Sequence, residues 1–162
     1  MYNGTESPLA ALTEQLGGAS EFNYFVMTYS ETVLEDLELQ VAFKGMDTEE
    51  HAGHMNNLIN TVFGYACKSS MAHSNIRGQI VLRNFAIFEL GLSRPQLRKL
   101  QLYFAAVLKD SLVEGEVLGF CNDRFADLCR ILEVESGRLR KCKDSMSNDD
   151  PALIMMALAK AA

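Results

Sequence analysis

Apolar residues in this chain return every three or four positions in four separate stretches, and nowhere alternate for long enough to need a strand. Phe22, Phe25, Val26, Tyr29 and Val33 make the first stripe, and Met55, Leu58, Ile59, Val62 and Phe63 the second. Leu97, Leu100, Phe104, Val107 and Leu108 form the third, and Leu118, Cys121, Phe125, Leu128 and Leu132 the fourth. Three to four residues is the repeat of a helix that buries one face, so the expected fold class is all-α. The segment Ile76 to Leu90 is apolar over more of its circumference and is expected to be one helix buried on more than one side.

Helix starts are written into the chain beside its three prolines. Ser7-Pro8, Ser93-Arg94-Pro95 and Asp150-Pro151 each put a capping side chain ahead of a proline in the first turn. Asp47-Thr48-Glu49-Glu50 is a further start, with Glu50 at the reciprocal capping position. Gly17-Gly18 and Gly64 are expected stops, since glycine enters the left-handed turn after a helix without steric cost. The expected organisation is one domain over residues 1–144. A polar linker and an apolar helix, Ala152-Leu153-Ile154-Met155-Met156-Ala157-Leu158-Ala159, occupy 145–162.

Composition narrows the function classes. Hydrophobic residues at 48% and charged residues at 22% suit a packed globular core. The net charge of −6 argues against nucleic acid as a partner, because phosphate neutralisation needs clustered Lys and Arg. The one basic run, Arg138, Arg140, Lys141 and Lys143, reads as a solvated helix end. No stretch approaches the roughly 20 apolar residues of a membrane span, so none is expected. Cys67, Cys121, Cys129 and Cys142 lack metal spacing; Cys121 and Cys129, eight apart on one helical face, read as small core residues. An intracellular, reducing compartment is expected, cytoplasmic or organellar after loss of a transit peptide. No hydrolase, nucleotide-binding or zinc-protease motif is present, and no catalytic residue is assigned.

Several spaced motifs keep one frame with a known family. Leu12-Thr13-Glu14-Gln15-Leu16-Gly17-Gly18 resembles the opening helix and double-glycine stop of truncated haemoglobins. Tyr29-Ser30-Glu31-Thr32-Val33-Leu34-Glu35-Asp36 is similar to that family's Phe-Tyr-x-x-Val-Leu-x-Asp, and a short apolar turn ends at Phe43, matching its haem-wedging phenylalanine. Phe63-Gly64 closes the next helix, and Leu90-Gly91-Leu92-Ser93 to about Cys121 is in register with the last two helices. The resemblance covers roughly half the chain. It implies a globin-like fold with a short extra C-terminal helix, haem as cofactor, and a diatomic gas such as O2 or NO as ligand.

The same resemblance assigns the candidate site. His51 and His54 fall at distal positions, with His54 where some members place a second iron ligand. Phe43, Met55 and Ile59 would line the haem, and Ser30 stands where the family places a ligand-binding tyrosine, with Tyr29 adjacent. The family's proximal histidine has no counterpart in Ile80-Val81-Leu82-Arg83-Asn84-Phe85-Ala86-Ile87-Phe88-Glu89, and nothing there replaces it as a strong axial donor. Met71-Ala72-His73 resembles the family's Met-x-x-Ala-His, which makes His73 the one proximal candidate and, with His54, a metal-ligand candidate. Tyr65 replaces the second glycine after Gly64. Two functions therefore stand side by side: a haem globin binding a small gas, or a haem-free globin domain kept as a structural, sensor or interaction subunit. In the second, Phe85 and Phe88 would fill the haem space.

The C-terminal helix carries the partner expectation. A helix shorter than roughly 12 residues is marginal alone in water, so Leu153, Ile154, Met156 and Leu158 need an apolar surface on this domain or a protein partner. Deleting residues 148–162 is expected to leave the helical body folded while changing its oligomeric state or partner binding. Sedimentation of both forms checks this, and unchanged association and solubility would reduce the segment to a tail.

Overall fold

The computed structural model describes residues 7–64 and 74–145. Eight helices and no strand occur among the described residues, in agreement with the all-α expectation. They are α1 (Pro8–Leu16), α2 (Ala19–Glu35), α3 (Leu37–Ala42), α4 (Thr48–Phe63), α5 (Ser74–Arg83), α6 (Phe85–Glu89), α7 (Arg94–Asp110) and α8 (Gly115–Ser145). His73, Met71, Tyr65, Cys67 and the apolar segment 151–162 lie outside the described residues.

The capping residues act as their chemistry requires. Ser7 Oγ accepts from the Ala10 amide, and Asp47 accepts from the Glu50 amide at 2.8 Å. Ser93 and Gln96 close a reciprocal capping box at the start of α7. Gly17 ends α1 at φ 106°, where its N–H donates to the carbonyls of Glu14 and Thr13. Gly64 differs from expectation: it ends α4 at φ −69°, a right-handed conformation, so no left-handed cap forms there. The expected single helix from Ile76 to Leu90 is broken at Asn84, whose Nδ2 donates to the Ile80 carbonyl at 2.9 Å. An asparagine side chain that takes its own helix's carbonyl competes with the ladder, and the chain restarts one residue later as α6.

The four apolar stripes face one another. α2 packs on α4 and α7 on α8, while α2 also meets α7 and α4 meets α8, giving two layers around one centre; α1 crosses α2, α4 and α8. At that centre the Phe104 ring stacks on Phe125 with centroids 4.0 Å apart. It also meets Phe25, Tyr29 and Phe63 edge-on at 5.6, 5.5 and 5.8 Å. Edge-to-face and offset-stacked contacts suit the aromatic quadrupole, so α2, α4, α7 and α8 are locked through one ring. The Tyr29 hydroxyl, buried with that ring, donates to the Leu100 carbonyl at 3.1 Å.

A polar latch joins the front of the fold. Asp36 separates α2 from α3 and caps α3, accepting from the amides of Glu38 and Leu39. It also accepts from the Tyr103 hydroxyl at 2.7 Å and from Lys99 Nζ at 3.0 Å; Lys99 reaches Glu38 at 2.6 Å as well. The Tyr103 hydrogen bond, followed by Lys99, holds the Asp36 carboxyl down at about 2. At the other end α8 is tied to the short helices: Ser136 Oγ donates to the Phe88 carbonyl at 2.9 Å, and Lys143 pairs with Glu89.

Because Phe104 meets four rings and is fully buried, truncating it removes both its transfer free energy and its neighbours' contacts. Phe104→Ala is expected to cost roughly 3–5 kcal/mol in chemical unfolding. A loss below about 1 kcal/mol would contradict its place at the centre.

Candidate functional site

Two polar residues sit on otherwise apolar stripes. His51 precedes Met55 by four positions, and Ser30 lies between Val26 and Val33 at helical spacing, so each faces the core with its stripe. The structure brings them together across the α2–α4 contact: His51 Nδ1 and Ser30 Oγ are 2.8 Å apart and share one hydrogen. Sequence reasoning placed both residues in the site but not in contact. The signal for the contact was their shared phase with the apolar stripes.

The histidine is enclosed. His51 and Ser30 are both 0% exposed, and the Phe43 ring stands edge-on over the imidazole with centroids 4.4 Å apart. Tyr29 lies alongside at 6.4 Å, but its hydroxyl is committed to Leu100 and does not reach the imidazole. His51 Nε2 is buried with no hydrogen-bond partner. Desolvation, with the nearby His54 adding to it, pushes the imidazole down to about 4, so it is neutral at pH 7. His54 sits one turn further along α4 and is half-buried.

The remaining expected site residues form a continuous packed wall. Phe43, Met55 and Ile59 are 0%, 1% and 0% exposed, with Leu58 and Val62 beside them in the same core. Phe88 is buried and Phe85 packs against the core from its edge. His73, the proximal and metal-ligand candidate, lies outside the described residues.

Whether these residues fit a haem has two answers. As a donor His51 fits: when Nδ1–H is given to Ser30, Nε2 carries a bare lone pair, the arrangement that orients an imidazole toward a metal. The space does not fit. A macrocycle needs an open slot beside the imidazole, and Phe43, Met55, Ile59 and His51 are at most 1% exposed. Among the described residues no group of three or more His, Cys, Asp or Glu is placed to hold a metal ion. No helix there is long and apolar enough to cross a membrane. The Cys121 and Cys129 thiols are each pushed up to about 12 by burial, which makes them poor nucleophiles.

Comparison of the chain with models of known protein families, with curated proteins and with solved structures gave no match.

The enclosed imidazole makes stability depend on pH. Below about 6.5 the unfolded chain binds a proton at this histidine that the native chain refuses until about 4. The unfolded state holds more protons in that window, so stability is full above it and falls with falling pH. The expected slope from this residue approaches about 1.4 kcal/mol per pH unit. Asp36 acts separately and lower: its stabilisation is present above about 4 and is lost as pH falls toward 2. Urea unfolding at several pH values checks the first window, and His51→Phe is expected to flatten it. An unchanged slope in that variant would place the titration elsewhere.

Proposed function

We propose that this chain is a globin-like domain of the truncated-haemoglobin kind that keeps its pocket closed and works without resident haem, as a sensor or interaction subunit. The observation that carries this reading is the burial of Phe43, Met55, Ile59 and His51, with Phe43 edge-on to the imidazole, where the resemblance would put a haem. Two layers of helices in this order, with a short helix ending at Phe43, support the globin-like architecture. Side chains that fill a pocket gain the dispersion contacts a cofactor would otherwise supply, so a closed state is stable in its own right. A surface suited to a partner is present on α3, where Leu37 and Val41, one turn apart, are 76% and 77% exposed.

A second reading, a haem globin binding O2 or NO, is favoured by one specific observation: the unpartnered, neutral Nε2 of His51. In that reading His51 would supply an axial nitrogen, Ser30 would orient its ring, and Phe43, Met55 and Ile59 would flank the macrocycle once displaced. His54 and His73 remain its other ligand candidates. The haem would supply the gas-binding iron, and this chain's residues would hold the imidazole neutral and exclude water.

Haemin titration of the purified chain separates the two. The closed reading expects no sharp, stoichiometric Soret shift, and the same weak, non-saturating absorbance change for His51→Ala as for the unaltered chain. A saturating one-to-one shift lost on replacing His51 would overturn it in favour of the haem globin.

A further inference from the structure

Helix α3 has few attachments for an element that covers a buried polar group. Its outward side chains Leu37 and Val41 are about three-quarters exposed, and Leu39 is its one fully buried residue. Two anchors flank it. At the front, Asp36 and Glu38 are held by Lys99 and Tyr103 of α7 through hydrogen bonds of 2.6–3.0 Å. At the back, the Phe43 ring lies on His51.

The helical path is interrupted at both ends. Asp36 leaves α2 in an extended conformation at ψ 113°, interrupting the helical path. Beyond Phe43 the chain passes through Lys44 at φ 53° and Gly45 at φ 76°, two successive left-handed residues, before Asp47 starts α4. A lysine in that region is strained, and strain between rigid helices concentrates bending there. The other partner of His51, Ser30, belongs to α2, which packs on both α4 and α7. Of the elements enclosing the imidazole, α3 with Phe43 is therefore the one that moves at least expense.

We propose that α3 and Phe43 form a lid over His51, and that the Asp36–Lys99–Tyr103 cluster is the latch that holds it shut. Local opening swings the Leu37–Val41 face and lifts Phe43, exposing the imidazole while the Phe104 core stays packed. This goes beyond the proposed function and needs neither haem nor an identified partner.

Chemical modification of the intact chain tests it. Diethylpyrocarbonate labels imidazoles, and a small thiol reagent reports on Cys121 and Cys129, which are buried on α8. Each rate is normalised to that of the same residue in the urea-unfolded chain and mapped by mass spectrometry. In the unaltered chain His51 is expected to react ahead of both buried thiols. Tyr103→Phe and Lys99→Met, each removing bonds to a charged group, are expected to speed His51 labelling roughly tenfold or more. The normalised rates of half-buried His54 and of the two thiols should stay unchanged. The proposal is overturned if His51 labelling is unaffected in both variants, or if it rises in step with Cys121 and Cys129, which would mean global unfolding. Should a variant fail to fold, the order of labelling in the unaltered chain decides: thiols reacting with or before His51 overturn the lid.

Discussion

The arrangement depends first on the ring of Phe104. Among the described residues it is the one side chain in face or edge contact with aromatic residues from α2, α4 and α8 at once, and it sits on α7, so four helices share a single packing point. Interiors are packed as densely as organic crystals, so a shared ring fixes distances as well as supplying attraction. Once α2 and α4 are set at that distance, the polar residues on their stripes must meet. Ser30 and His51 do so, and the hydrogen bond between them follows from the aromatic core.

That chain of dependence explains a feature that would otherwise be a liability. A buried imidazole with one nitrogen unpartnered costs free energy, on the order of 1–3 kcal/mol, and the core must carry it. The charge state is the adaptation: keeping the ring neutral avoids the larger penalty of burying a cation. Such groups concentrate where a structure has something to do besides fold. The donor chemistry at His51 and the absence of room around it pull in opposite directions, and a lid that opens reconciles them. In that view the closed domain and the reactive imidazole are two states of one fold.

Much of the fold was legible because it is local. Stripes at helical spacing, Ser7, Asp47 and Ser93 as caps, and the stop at Gly17 involve residues within a turn or two of each other. Phe25, Ile59, Val62, Phe104 and Phe125 are buried as their stripes required, and Phe43 is buried at the end of its short apolar turn. Asn84 was less legible, since its break depends on whether the side chain turns back to Ile80 or outward, which spacing does not encode. The Asp36 latch was illegible for a different reason: its partners are more than sixty residues away, and nothing in either segment names the other. At the site, Ser30 and His51 could be named as candidates, but their burial depended on reading polar residues as members of apolar stripes. Phe43, Met55 and Ile59, which the family resemblance names as haem-lining, are buried in this structure.

His51 is held neutral inside a closed core. Nitrogen-15 NMR of the labelled imidazoles measures this most directly, because it reports protonation and tautomer for each ring. The account predicts that His51 keeps two well-separated nitrogen signals, those of a single neutral tautomer, from pH 8 down to about pH 5. A His51 ring that titrates near 6.5, the ordinary histidine value, with its two nitrogens merging toward the imidazolium position, would contradict it.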